Sequence, residues 1–285
     1  MKLIIVSGLS GSGKSIALDT LEDSGFYCVD NLPIVLVKNL IEQIIQFDSP
    51  IYKNTAIGID SRVQTKSLAI FPEILSQIKQ LNIECETLFL QADNETLLKR
   101  FSETRRRHPL TDSTHSLNDA IKYERTLMEP IANEGDLLID TSRTNIHELR
   151  ELIRVRVVAR RNQVLSIFFQ SFGYKKGIPM DADFLFDARC LPNPYWEPAL
   201  RQLSGKDQPV IDFLSTKTEV REYLDDISKF LDRWIPAFEA SNRSYFTIAI
   251  GCTGGQHRSV YLAENLARKL KSTHYDILVG HRELH

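Results

Sequence analysis

The chain has 285 residues, 42% hydrophobic and 25% charged, a profile that excludes fibrous and disordered proteins and suits one large or two ordinary globular domains. The formal net charge of −2 gives the whole molecule no electrostatic bias toward nucleic acid, so any basic surface must be local. The four cysteines lie far apart without zinc-site spacing, and no apolar run approaches the roughly 18 residues of a membrane span, so we expect a cytoplasmic protein with reduced thiols and no membrane contact.

The first predicted element is an apolar strand at residues 3–7 that leads directly into a glycine-rich sequence. Residues 8–15 match G-x-x-x-x-G-K-[ST] at every specified position. Glycines let backbone N–H groups turn toward one centre, and the next helix adds partial positive charge at its N-terminus, so the pattern predicts a phosphate-binding loop. Lys14 would reach the β- and γ-phosphates, and Ser15 would ligate Mg²⁺. The predicted nucleotide-binding residues of the loop are Gly8, Leu9, Ser10, Gly11, Ser12, Gly13, Lys14 and Ser15.

Short apolar runs then alternate with longer periodic segments, which is the pattern of a parallel sheet covered by helices. Further strands are predicted at residues 26–29, 55–59, 87–90 and 137–139. Helices are predicted at residues 34–46 and 66–81, and another helix has Thr144 or Asn145 as its N-cap. The predicted fold class is therefore α/β, with an N-terminal domain of the P-loop NTPase type at residues 1–158.

A nucleotide site of this kind also needs an acidic group for the water shell of Mg²⁺, normally an Asp at the end of a strand beside the loop. Four strand-end aspartates compete for this role: Asp30, Asp60, Asp93 and Asp140. Asp30 and Asp60 follow the earliest strands after the loop and form the leading pair, so the catalytic candidates are Lys14, Ser15, Asp30 and Asp60. The alternative for each aspartate is that it only caps the next helix.

A basic segment follows the strand at residues 87–90. It contains Lys99, Arg100 and the run at residues 105–108, which reads Arg-Arg-Arg-His. Small-molecule kinases place a mobile arginine-rich lid after such a strand, so a kinase with residues 100–107 as its lid is an alternative function. The same charges also fit a solvated helix face.

From about residue 160 the pattern changes, and a smaller C-terminal α/β domain is predicted at residues 159–285. Strands are predicted at residues 164–169, 184–187 and 245–250, and a long helix at residues 218–239. Basic clusters occur here as well, and Lys175 and Lys176 beside Tyr174 could follow a phosphate backbone or belong to an ordinary solvated surface.

Residues 251–259 read Gly-Cys-Thr-Gly-Gly-Gln-His-Arg-Ser between a predicted strand and helix. This pattern predicts a second anion-binding turn, carried by Thr253, Gly254, His257 and Arg258. It also fits C-x-x-x-x-x-R-S, the loop of cysteine-dependent phosphatases, with Cys252 as nucleophile. The alternatives are a buried Cys252 at the strand end and an Arg258 that has only a structural role.

Together these motifs resemble the RapZ family of bacterial P-loop nucleotide-binding proteins, over nearly the whole chain. The resemblance rests on residues 8–15, 25–33, 105–106, 108–110, 171–173, 177–179, 181–183, 191–194 and 251–259. It implies an N-terminal domain that binds ATP or GTP with Mg²⁺ and hydrolyses the nucleotide weakly. It also implies a second nucleotide motif at Asp60, Ser61, Arg62 and Val63.

For the C-terminal domain, the resemblance to the family's RNase adapters implies a regulator that senses glucosamine-6-phosphate, binds small RNA and presents it to an endoribonuclease. The candidate ligand or RNA residues are Lys175, Asp187, Tyr195, Thr253, Gly254, His257 and Arg258. The chain departs from the adapters at Tyr195, where they carry His, and in residues 281–285, which lack the adapters' basic tail. We also expect a homo-oligomer.

Overall fold

The computed structural model describes most of the chain, in two compact units, Met1–Ala159 and Arg160–His285. The residues described are 1–47, 49–60, 68–104, 106–111, 116–158, 165–241, 243–271 and 274–284.

The N-terminal unit contains one parallel sheet with helices. Its strands are β1 (Lys2–Gly8), β2 (Tyr27–Val29), β3 (Asn54–Gly58), β4 (Glu84–Gln91) and β5 (Leu137–Asp140). Its described helices are α1 (Lys14–Asp23), α2 (Ile34–Phe47), α3 (Phe71–Lys79), α4 (Asn94–Thr104), α5 (Leu117–Asn133) and α6 (Ile146–Ile153). The strand order is β2-β3-β1-β4-β5, and every neighbouring pair is parallel.

The central strand β1 places the glycine-rich loop. Residues 3–8 of β1 are buried between β3 and β4, which explains their continuous apolar run. Because the carboxyl ends of parallel strands meet at one edge of a sheet, the loop after Gly8 lies beside the ends of β3 and β4.

Two helix boundaries show how local chemistry decides where a helix begins. Of the helix predicted at residues 66–81, residues 66 and 67 lie outside the described residues, and α3 begins at Phe71 with Pro72, which lacks an N–H group, accommodated in its first turn. Asn145 is the N-cap of α6, since its side chain accepts the N–H of Glu148 at 3.0 Å and Glu148 accepts the N–H of Asn145 at 2.8 Å.

The C-terminal unit contains a second parallel sheet. Its strands are β6 (Ser166–Gly173), β7 (Phe184–Asp187), β8 (Tyr245–Cys252) and β9 (Asp276–His281), in the order β7-β8-β6-β9. Its described helices are α7 (Gln208–Ser215), α8 (Thr218–Ala240) and α9 (Arg258–Leu270). The α/β fold class predicted from the sequence is confirmed, although α5, α7 and β9 were not predicted.

Candidate functional site

The loop after β1 depends on glycine at both of its ends. A Cβ atom on Gly8 would stand 2.1 Å from the carbonyl oxygen of Leu90, so only glycine allows β1 to approach β4 this closely. Gly13, directly before α1, has φ of 108° and faces Leu149 of α6, whose Cδ2 would lie 2.6 Å from an added Cβ. The two glycines therefore set the path of the loop between the sheet and α1.

Two side chains hold carbonyl groups of the loop from outside. Nη1 of Arg100 donates to the carbonyl of Gly11 at 3.0 Å, and Oγ1 of Thr141 donates to the carbonyl of Ser12 at 2.9 Å. Arg100 also binds Thr141, through Oγ1 at 3.0 Å and the carbonyl oxygen at 2.6 Å. Helix α4 and the end of β5 thus brace the middle of the loop.

The loop leaves a set of backbone donors for an anion. Within the part of the chain that the structure describes, no hydrogen bond is donated by the N–H groups of Gly11, Gly13, Lys14 or Ser15. Gly11 and Ser15 are exposed, and Lys14 opens helix α1. Unpaired N–H groups at a helix N-terminus carry partial positive charge, so this end of the loop suits a phosphate group.

Lys14 lies between the loop and the end of β3. Its Nζ donates to the carbonyl of Gly8 at 2.7 Å and lies 3.9 Å from Oδ1 of Asp60. Asp60 is held there because the N–H of Ile59 donates to Val6 at 2.9 Å, which continues the pairing of β3 with β1. The side chains of Lys14 and Asp60 are each only 13% exposed. The structure therefore brings these two predicted residues together.

The other aspartates have different surroundings. Asp93 caps α4 by accepting the N–H of Thr96 at 2.7 Å; burial alone would raise its pKa, and the hydrogen bonds from Thr96 reverse that effect and lower it. Asp140 accepts the N–H of Ser142 at 2.9 Å and so shapes the turn after β5. Asp30 is exposed, with its carboxylate beside Gly58 of β3.

Ser61, Arg62 and Val63 of the second nucleotide motif lie outside the described residues. In the described ranges, no group of three or more His, Cys, Asp or Glu side chains is arranged to hold a metal ion. Mg²⁺ commonly uses one or two protein oxygens together with the phosphates of its nucleotide, and Ser15 and Asp60 are oxygen donors of that kind. The residues present therefore fit a metal that arrives with a nucleotide.

The kinase alternative assigned Arg100 to a mobile lid, and the contacts of Arg100 disfavour that assignment. Arg100 is half-buried, its guanidinium is bonded to Gly11 and Thr141, and burial lowers its pKa. Arg106 and Arg107 are exposed, and Arg105 lies outside the described residues. Arg100 is thus a support of the loop, because its guanidinium donates to the carbonyl of Gly11, to two oxygens of Thr141 and to the carbonyl of Thr144 at 3.4 Å.

Sequence reasoning missed Glu124, which lies on α5 and is completely buried. Its Oε2 accepts the N–H of Ser10 at 2.9 Å, and its Oε1 accepts the hydroxyl of Ser10 at 2.6 Å. His108 also bonds to Glu124, through Nε2 at 3.1 Å. The available signal was a charged residue on the apolar face of a helix that buries Ile121 and Met128.

In the C-terminal unit, the predicted anion-binding turn follows β8 at the carboxyl edge of the sheet, where open parallel sheets bind ligands. Thr253 and Gly254 are exposed at its tip, whereas Arg258 beneath them is only 4% exposed. The N–H of Lys175 donates to the carbonyl of Thr253 at 3.2 Å, which brings the loop after β6 against the turn.

Arg258 ties this turn to the loop after β7. Its Nη1 donates to the carbonyls of Arg189 at 3.0 Å and Leu191 at 2.9 Å, and its Nη2 donates to Oγ1 of Thr253 at 3.4 Å. Asp187, at the end of β7, accepts three hydrogen bonds from the guanidinium of Arg189, and these lower its pKa. The structure thus assembles Lys175, Asp187, Thr253, Gly254 and Arg258 around neighbouring loops.

The two other predicted ligand residues, His257 and Tyr195, have different surroundings. His257 is buried with Nε2 3.1 Å from the carbonyl of Leu200, and burial lowers its pKa, so at neutral pH it adds no positive charge. Tyr195 is exposed, and its ring contacts that of Trp196 and the guanidinium of Arg201, which lies 4.8 Å from the ring centre.

Cys252 agrees with the alternative to a nucleophilic role, which is a buried residue at the end of a strand. It is 3% exposed, and its Sγ accepts the N–H of Gly255 at 3.2 Å and lies 3.1 Å from the hydroxyl of Ser259. A phosphatase nucleophile must reach its substrate and face its arginine, whereas Arg258 is bonded to backbone carbonyls. This arrangement disfavours phosphatase chemistry at Cys252.

Comparison with known proteins places the chain in a family. One family model, RapZ-like N-terminal domain, matches residues 1–161, and a second, RapZ C-terminal domain, matches residues 165–285. The chain belongs to the RapZ family. A nucleotide-binding protein of Methylococcus capsulatus is 57% identical over 284 residues, covering all of this chain and 96% of that protein. A nucleotide-binding protein of Ectopseudomonas mendocina is 53% identical over 284 residues, and the alignment covers all of this chain and all of that protein. The chain is therefore a nucleotide-binding protein of the RapZ family.

Among solved structures, a sugar kinase from Janibacter aligns with a TM-score of 0.38 at 18% identity, covering 54% of this chain and 92% of the kinase. Shikimate kinase from Bacteroides thetaiotaomicron aligns with a TM-score of 0.37 at 13% identity, covering 54% of this chain and 96% of the kinase. In the described residues of this RapZ-family chain, no helix has both the length and the apolar character of a membrane span.

Proposed function

We propose that this protein binds ATP or GTP, together with Mg²⁺, at the loop of residues 8–15 and hydrolyses the nucleotide slowly. The observation that carries the proposal is the set of backbone N–H groups at Gly11, Gly13, Lys14 and Ser15 that no protein group accepts in the described chain. Lys14 adds a full positive charge for the β- and γ-phosphates. Asp60, 3.9 Å from Lys14, is the acidic group for the metal's water shell.

The test is nucleotide binding by Lys14→Ala, with Lys38→Ala as the matched control because Lys38 lies partly exposed on α2 in a surface pair with Glu42. We expect calorimetry to detect no ATP or GTP binding by Lys14→Ala and unchanged affinity for Lys38→Ala. Unchanged affinity in folded Lys14→Ala would overturn the proposal.

We further propose that the C-terminal unit makes the protein a cytoplasmic, homo-oligomeric regulator of the RNase adapter type. Its turn at residues 253–258 would bind a phosphate group, either of glucosamine-6-phosphate or of a small RNA that it presents to an endoribonuclease. The convergence of Lys175, Arg258 and the exposed Thr253 supports an anion at this edge. The buried, neutral His257 would serve the turn as a structural residue.

The affinity for a structured small RNA across a salt series tests this role, because each phosphate contact adds to the steepness with which affinity falls as salt rises. We expect a steep slope that becomes shallower in Lys175→Ala, whose side chain is exposed, and unchanged binding in Lys38→Ala. Competition by glucosamine-6-phosphate, but not by glucosamine, would show that both ligands use the turn. Negligible binding near physiological salt would leave a nucleotide-binding protein without the adapter role.

A further inference from the structure

Glu124 is a fully buried carboxylate against the glycine-rich loop. Removing a carboxylate from water is costly unless hydrogen-bond donors surround it, so a carboxylate kept in such a place has specific partners. Here they include both donors of Ser10, its N–H and its hydroxyl, at 2.9 and 2.6 Å.

The third donor is His108, and the structure decides its tautomer. The N–H of Leu110 donates to Nδ1 of His108 at 3.1 Å, so Nδ1 is an acceptor and the ring proton is on Nε2. Nε2 therefore donates to Glu124, at 3.1 Å. Because these three contacts are all donated to Glu124, they match an ionised carboxylate, which accepts hydrogen bonds and donates none.

These bonds connect two parts of the sequence that the motifs leave separate. Ser10 is the third residue of the phosphate loop, whereas His108 follows the exposed Arg106 and Arg107. Phe101 provides a second contact between the two parts, since its ring centre is 5.0 Å from that of His108 and its Cε2 would lie 3.3 Å from a Cβ on Gly11.

We propose that Glu124 is a positioning residue for nucleotide binding. It holds Ser10 so that Gly11, Gly13, Lys14 and Ser15 present their N–H groups in a fixed arrangement, and His108 in turn holds Glu124. The basic segment of residues 106–111 and the phosphate loop are thereby coupled through one buried side chain. This inference rests on the proposed nucleotide site at residues 8–15.

The first test compares the affinity of the full chain for ATP with Mg²⁺ in Glu124→Gln and in Glu129→Gln. Glu129 is the matched control because it lies on the same helix and is exposed. Glu124→Gln can keep one oxygen facing the N–H donors of Ser10 and His108 while its NH2 group meets the Ser10 hydroxyl, but the charge that strengthens these bonds is lost, so we expect the dissociation constant to rise about tenfold. The control keeps the affinity of the original protein.

A double-mutant cycle tests the coupling to His108. His108→Phe keeps the ring beside Phe101 but removes the donor, and we expect a loss of affinity comparable to that of Glu124→Gln. His108→Gln carries an amide donor near the position of Nε2 and should restore most of the affinity. In the Glu124→Gln background, His108→Phe should have a clearly smaller effect; an equal loss in both backgrounds would overturn the inference.

Thermal unfolding of each variant separates a positioning role from a folding defect. If Glu124→Gln does not fold, Ser10→Ala removes only the hydroxyl bond to Glu124 and must then weaken binding in a folded protein. Lys14→Ala, measured in parallel, distinguishes the two proposals. Loss of binding in Lys14→Ala with unchanged binding in Glu124→Gln and Ser10→Ala would overturn the positioning role alone.

Discussion

Nζ of Lys14 lies 3.9 Å from Oδ1 of Asp60 and 2.7 Å from the carbonyl oxygen of Gly8. The pair joins the phosphate loop after β1 to the end of the neighbouring strand β3. Of the four strand-end aspartates, Asp60 is therefore the one whose carboxylate adjoins the lysine proposed to contact the phosphates. A metal ion bound to those phosphates would lie within reach of this edge of the sheet.

Asp60→Asn should weaken ATP binding in the presence of Mg²⁺ by about tenfold, because an amide is a poorer partner for the metal's water shell than a carboxylate. The measurement is calorimetry with and without a chelator. The original protein should lose affinity when Mg²⁺ is removed, whereas Asp60→Asn should change little. Asp30→Asn serves as the comparison, and a larger effect of that substitution would reverse the assignment.

Arg100→Lys should lower both nucleotide affinity and the stability of the N-terminal unit. A single ammonium group cannot bind Gly11, Thr141 and Thr144 at the four positions that the planar guanidinium reaches. We expect a loss of about 1–3 kcal/mol in the free energy of unfolding.

Lys99→Ala is the control for that change, because Lys99 is exposed and its pair with Glu103 on the same helix contributes little. A lid role for Arg100 predicts the opposite pattern, with unchanged stability and an effect on turnover alone. Urea unfolding and nucleotide titration of both variants separate the two interpretations.

Gly8→Ala should destabilise the N-terminal unit by about 3 kcal/mol or more, because its Cβ would overlap the backbone of Leu90 and neither strand can move without breaking the sheet. Gly25→Ala is a matched comparison: Gly25 also has positive φ, at 87°, but no atom lies within 4 Å of an added Cβ. Gly25→Ala should lower the free energy of unfolding by only about 1–2 kcal/mol, through backbone strain. Similar losses in the two variants would contradict the role of close strand packing.

The C-terminal unit should lose stability as the pH falls below about 6.5. Burial lowers the pKa of both His257 and His281 beneath the ordinary value of 6.5, so near that pH the unfolded chain binds more protons than the folded one. The contribution of these two histidines to stability is complete above the pKa that they have in the unfolded chain, and it declines as the pH falls below that value. Both tryptophans, Trp196 and Trp234, belong to this unit, so fluorescence during urea unfolding reports its stability selectively.

His257→Gln keeps an amide donor for the carbonyl of Leu200 but does not titrate. It should therefore reduce the dependence of stability on pH between about pH 7.5 and 5.5. An unchanged slope in this variant would assign the effect to other groups.

The sequence predicted the parts of this protein that depend on local chemistry. The strand, glycine turn and lysine of residues 3–15 are contiguous, and the capping pair of Asn145 and Glu148 spans four positions. Glu124 could not be assigned in this way, because its partner Ser10 is 114 positions away and only the packing of α5 joins them. The same holds for Arg100, whose charge indicated a lid until its carbonyl partners were known.

The braced loop also has a kinetic consequence. The carbonyls of Gly8, Gly11 and Ser12 are each held by a side chain, and that of Gly13 accepts the N–H of Ala17 at 3.1 Å. The conformational entropy of ordering the loop is therefore lost during folding and not when a nucleotide arrives. Association should then proceed as a single step whose observed rate rises linearly with nucleotide concentration, without the plateau that a slow rearrangement of the loop would impose.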